Sequence, residues 1–172
     1  MDFLKFAKDR YSVRNFKRDN ISKETLDKIL EAGHIAPTGC NNQPQRILVL
    51  SHADSMAKLA KCTKYHFDAP NAMIVCYSQD ESWVRKYDGA MSAPVDASIV
   101  TTHMMLQAHN MGIGTCWVMH FDPFKMRTHF NVPENFEISA LLVMGYPHKD
   151  ASPLKLHSQY RDTDEVVYYD TF

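Results

Sequence analysis

With 172 residues, 45% of them hydrophobic and 23% charged, the chain has the length and balance of one globular domain with a sizeable core, and extensive disorder is excluded. A net charge of −1 supplies no overall field for nucleic acid or an anionic membrane, and no apolar run reaches the roughly 18 residues that a spanning helix needs. The start, Met1-Asp2-Phe3, lacks a basic-then-apolar signal, so the expectation is a soluble cytoplasmic protein. Cys40, Cys62, Cys76 and Cys116 form no Cys-x-x-Cys pair, and the nine histidines show no helical i, i+4 zinc spacing, which disfavours a metal centre and points to reduced thiols.

Residues 2–9 predict a short helix with Phe3, Phe6 and Ala7 on one face. It runs into Arg10-Tyr11-Ser12-Val13-Arg14-Asn15-Phe16, where two arginines four residues apart bracket a serine hydroxyl. Forked guanidinium donors match a phosphate-sized anion, although an arginine pair taken alone also reads as a solvated basic turn. Ser22 then caps a second helix, with Ile21 able to staple onto Leu26, and Leu26, Ile29, Leu30 and Gly33 recur at helical spacing. Pro37 ends that helix and opens Pro37-Thr38-Gly39-Cys40-Asn41-Asn42-Gln43-Pro44, a loop of small, rigid and amide residues able to lie against a flat heterocycle.

Residues 46–50 read as a buried strand, 55–62 as a helix and 72–77 as a second strand. Residues 78–94 have no clean period and read as a surface insertion or lid. A helix apolar over much of its circumference follows from 95 to 111, which places it in the core. Residues 113–118 form a third strand candidate entered through glycines, Asp122-Pro123 starts a short helix, and 138–146 form a fourth strand. From residue 151 the tail is polar and then aromatic, and its apolar tip needs a partner surface. Helices and strands mix irregularly and no Gly-x-Gly-x-x-Gly occurs, because Trp117 stands where the third glycine would fall; the class is α+β and a Rossmann dinucleotide site is disfavoured.

Four segments in order resemble the nitroreductase family of FMN-binding flavoproteins: Arg10 to Phe16, Ala36 to Gln45, Met111-Gly112-Ile113-Gly114-Thr115-Cys116-Trp117-Val118, and Val143-Met144-Gly145-Tyr146-Pro147. The resemblance implies a central mixed or antiparallel sheet wrapped by helices, a single FMN-binding domain over residues 1–172, and an intertwined homodimer whose tail (about 151–172) embraces the partner. It assigns Arg10 and Ser12 to the FMN phosphate and Arg14 to the pyrimidine end of the ring, where a fixed cation favours the reduced cofactor. Pro37, Thr38 and Gly39 would pack on the flavin from the neighbouring subunit, while Asn41 and Gln43 either contact the ring or hold their own loop. Trp117, Val118, Met119 and His120 fall where the family presents backbone near the flavin's reactive nitrogen; taken alone, His120 reads as a packing residue and Trp117 as core.

Arg161 matches one half of a family Lys-x-Arg pair, with Gln159 in place of the lysine and Lys149 or Lys155 as substitutes that nothing in the sequence decides between. The implied reaction passes reducing equivalents from NADH or NADPH through FMN to a small electron-poor acceptor: a nitroaromatic, a quinone or another flavin. The rival readings are a specialised branch that dehalogenates or fragments flavin, a non-catalytic FMN-binding or regulatory protein, and, against the histidine spacing, a metal-dependent hydrolase.

Overall fold

The computed structural model describes residues 2–172. Its centre is an antiparallel sheet of four strands, β1 (Gln45–Leu50), β2 (Asn71–Ser78), β3 (Gly114–Val118) and β4 (Phe136–Gly145), in the order β1-β2-β4-β3. Alternation along the central strands explains why they read as continuous apolar runs. On β2, Met73 and Val75 face one layer while Ala72, Ile74 and Cys76 face the other; on β4, Ala140, Leu142 and Met144 are opposed to Leu141 and Val143 in the same way. A sheet covered on both sides has no polar face to show.

The first layer consists of α2 (Lys23–His34) and α4 (Ala93–Asn110), and Gly33 allows their close crossing: a Cβ there would come within 2.7 Å of Met104 Cγ. The second contains α3 (Ala53–Ala60) and α5 (Pro123–Phe130), with Leu59 and Met126 fully buried. The remaining helix, α1 (Phe3–Asp9), carries no buried residue. Ser22 caps α2 by accepting from Thr25 N, with Ile21 and Leu26 buried beside it as the staple requires, and Asp122 caps α5.

Two helix starts differ from the expectation by two residues. Pro94 closes the aperiodic segment in the expectation, with the helix starting at 95, yet α4 begins at Ala93, because proline is tolerated in the first turn, where its missing N–H has no intrahelical partner. Ser55 reads as the first residue of α3, but its hydroxyl donates back to His52 O from inside a helix that starts at Ala53. The aperiodic segment ahead of α4 is a small hairpin, with Val84 and Met91 bridged and Arg85 paired to Asp88 at 2.6 Å. Beyond Ala151 the tail carries two short 3-10 turns and exposes Leu156, Tyr160, Val166, Tyr169 and Phe172. Among the described residues, no helix is long and apolar enough to cross a membrane.

Candidate flavin site

Arg10 leaves α1 in extended conformation (φ −70°, ψ 124°), and the chain then lies along the free edge of β3. Val13 N donates to Thr115 O at 2.9 Å, Ser12 and Thr115 form a parallel bridge, and His148 N and Lys17 N close the far end on Asn15 O and Tyr146 O. Buried Val13 anchors the segment to the core. Gly114 makes that contact feasible: a Cβ there would sit 2.7 Å from Val13 Cγ2 and 3.0 Å from Pro147 Cγ.

Arg10, Ser12 and Arg14 occupy alternate positions of this extended stretch and all line one cavity of about 470 Å³. Leu154, Leu156, His157 and Tyr160 of the tail form its other wall, held by Tyr11 Oη donating to Ala151 O and by His157 Nε2 lying 3.0 Å from Lys8 O. No carboxylate belongs to the lining, and neither Arg10 nor Arg14 has an acidic partner among the described residues. Arg14 donates to Ser12 O at 3.0 Å, and its guanidinium stands 5.9 Å from the Phe67 ring centroid. Burial pushes the Cys116 thiol up, while the Arg14 guanidinium, the Ser12 hydroxyl and Arg10 pull the other way, so these groups share one neighbourhood. A second cleft, of about 420 Å³ and lined by Arg18, Met56 and His66, shares none of the side chains of the arginine cavity.

The loop after α2 is folded on itself. Thr38 Oγ1 accepts from Gln43 N at 3.1 Å, and Gln43 Nε2 donates to Asn41 O, so the Gln43 side chain holds its own loop. Cys40, Asn41 and Gln43 all have positive φ, while Pro37 and Asn41 are exposed. Gly39 N donates to Asp96 Oδ1 at 2.9 Å, in the first turn of α4, whereas Arg10 lies beside His109 in its last turn. Thirteen residues of helix separate those two points, about 20 Å at 1.5 Å per residue, so one chain does not bring this loop to its own Arg10.

At the exit of β3, Trp117 is half-buried on the α2/α4 side and donates from Nε1 to Met119 Sδ, Val118 is buried, and Met119 and His120 are exposed. The His120 carbonyl accepts from Thr63 Oγ1 at 2.6 Å and its ring meets Tyr65 edge-on at 5.1 Å. Tyr65 in turn packs on Phe67, which completes a row from His120 to Arg14 that the sequence analysis missed. Phe67 and Asp68 turn the chain with φ of 53° and 49°, a conformation their residue types do not announce; the aromatic density of Tyr65-His66-Phe67 was the available signal. Arg161 is exposed and 3.6 Å from Glu165, one residue past the cavity-lining Tyr160.

The model of the nitroreductase family matches residues 7–146, from the end of α1 through the end of β4, and the chain belongs to that family. A nitroreductase family protein of Clostridium difficile 630 superposes with a TM-score of 0.93 at 41% identity, each chain being covered in full. A protein of Desulfovibrio desulfuricans, provisionally described as a nitroreductase and crystallised in complex with FMN, gives a TM-score of 0.81 at 26% identity over 100% of this chain and 98% of that one. Among curated relatives, a protein of Methanothermobacter thermautotrophicus provisionally named NADH dehydrogenase/NAD(P)H nitroreductase is 29% identical over 155 residues, 86% of this chain and 78% of the relative.

Proposed function

We propose that the protein is an FMN-dependent oxidoreductase that takes reducing equivalents from NADH or NADPH and passes them to a small electron-poor acceptor such as a nitroaromatic, a quinone or another flavin. The observation that carries this reading is the cavity holding Arg10, Ser12 and Arg14 with no carboxylate in its wall. A guanidinium without an acidic partner beside a hydroxyl, Arg10 with Ser12, is a donor set for a phosphate monoester, and Arg14 adds a second such cation for the ring, so the residues present fit the cofactor. When bound, FMN supplies the hydride-accepting and hydride-donating chemistry.

The chain's own residues bind, orient and enclose. Arg10 and Ser12 hold the phosphate; Arg14, steadied by Ser12 O and Phe67, is the fixed cation that stabilises negative charge on the reduced ring. The backbone from Trp117 to His120, pinned through Thr63, forms one margin of the site. Pro37, Thr38, Gly39, Asn41 and Gln43 reach a flavin only from a second copy of the chain, given the distance between this loop and Arg10. A homodimer meets that need, and the exposed apolar residues of the tail supply surface for it. Residues 1–172 then act as one domain, in which Arg161 follows the cavity-lining Tyr160.

The test is the visible spectrum of the purified protein, followed by steady-state oxidation of NADH and NADPH with menadione or nitrofurazone. A yellow protein that turns over is expected. Absence of FMN uptake refutes the reading, and a flavoprotein that turns over neither acceptor favours the specialised branch or the non-catalytic binder instead.

A further inference from the structure

Asp96 is the one acidic side chain buried among the described residues, at 3% exposure, and no lysine, arginine or histidine pairs with it there. A carboxylate in that position is costly unless each oxygen is hydrogen-bonded. Its oxygens are divided between two other segments. Oδ1 accepts from Gly39 N at 2.9 Å, across 57 residues of sequence, and Oδ2 accepts from Ser92 Oγ at 2.8 Å. Ser92 closes the 82–92 hairpin, since its N–H donates to Trp83 O. The junction is tight: a Cβ on Gly39 would strike Ser92 Oγ at 2.7 Å and Trp83 Cβ at 3.2 Å. A second clamp lies further out, where both carboxylate oxygens of Glu81 accept from Arg46 Nη2 at 2.7 Å and its carbonyl accepts from Asn42.

We infer that Asp96 is a positioning residue for the flavin and acceptor. By holding Gly39 N and Ser92 Oγ together at the start of α4, it sets the shape of the 37–43 loop and the Trp83 wall as one surface. This rests on the proposal that the surface covers the flavin of a second subunit. Asp96 touches neither substrate nor cofactor and acts through Gly39 and Ser92. The bonding, rather than the charge, is what the loop requires. Asparagine in the same place accepts from Gly39 N with its oxygen and donates to the Ser92 hydroxyl with its nitrogen, whereas alanine leaves the Gly39 N–H unpaired.

The test measures FMN Kd by fluorescence quenching, KM and kcat for menadione, and the Tm of the apoprotein in wild type, Asp96→Ala, Asp96→Asn and Ser92→Ala. Loss of the hydrogen bond that orders the loop predicts a rise in FMN Kd of about tenfold or more for Asp96→Ala, with menadione KM raised as well. Asp96→Asn should restore both. A purely structural role would lower the apoprotein Tm of Asp96→Ala while leaving Kd and KM at wild-type values, and that result overturns the inference. So does an asparagine variant as impaired as the alanine one. If Asp96→Ala does not fold, Ser92→Ala decides, because it removes the donor to Asp96 Oδ2 and leaves Gly39 unaltered: raised Kd supports the inference and a wild-type Kd overturns it. Wild-type protein that binds no FMN overturns the functional proposal and this inference together, whereas wild-type binding with unaffected variants overturns this inference alone.

Discussion

Arg10 and Arg14 stand four residues apart, yet only Arg14 is tied down, to Ser12 O on one side and the face of Phe67 on the other. A cation held in place at no further ordering cost is what electrostatic stabilisation of a reduced ring needs. Arg14→Ala should therefore weaken FMN binding by about tenfold or lower its reduction potential. Arg18→Ala, in the separate cleft beside α3, should do neither; titration and potentiometry on both variants would show it, and equal effects would refute the role of Arg14. The thiols offer a second check. Cys40 is exposed and the other three cysteines are buried, so native protein should react quickly with Ellman's reagent at Cys40 alone. Burial pushes the Cys76 thiol up to about 11 from its ordinary 9.0. The unfolded chain thus loses that proton first, and stability should fall as pH rises through this interval; chemical denaturation across it should show a shallower decline for Cys76→Ala. The grouping of Arg10, Ser12 and Arg14 was legible in the sequence as two arginines bracketing a serine; that they share one side was not, since it follows from the extended backbone. Tyr65 and Phe67 were not, because a left-handed turn at Phe67 and Asp68 brings them over.

At the scale of elements, the site depends on how closely the Arg10–Phe16 segment lies on β3. Gly114→Ala would insert a methyl 2.7 Å from Val13 Cγ2. Overpacking of that kind costs about 1–3 kcal/mol, and the displaced strand should carry Arg10 and Ser12 with it, so both urea stability and FMN affinity are expected to fall. Ser22→Ala provides the contrast. It removes an exposed cap on α2 and should cost about 1 kcal/mol of stability without changing FMN affinity. All five helices and four strands were visible in hydrophobic period and capping residues. The two displaced helix starts trace to Pro94 and Ser55, two residue types whose meaning depends on whether they fall just before or just inside a first turn.

At the scale of the molecule, the roughly 20 Å of helix between the end of α4 that meets the 37–43 loop and the end that meets Arg10 is the observation behind the proposal of a flavin site shared by two chains. No local pattern encodes that separation; it comes from the length of α4 and from which segment meets each of its ends. The tail shows the same dependence. Its apolar side chains were conspicuous in sequence, and in a lone chain they remain exposed. Removing residues 151–172 should leave a monomer by light scattering that no longer retains FMN. Mixing Arg14→Ala chains with Asp96→Ala chains should recover affinity, because each hybrid dimer pairs one doubly impaired site with one intact site. A mixture no better than its parents would place both groups at a site within one chain.

The most direct measurement is an FMN titration of the purified apoprotein beside an Arg10→Ala/Arg14→Ala variant of matching secondary structure, followed by flavin fluorescence. The account predicts saturable binding at one FMN per chain in the wild type and loss of that binding when the two guanidiniums are removed. Equal uptake by both proteins would contradict it, since the cofactor would then be held without the cavity on which the account rests.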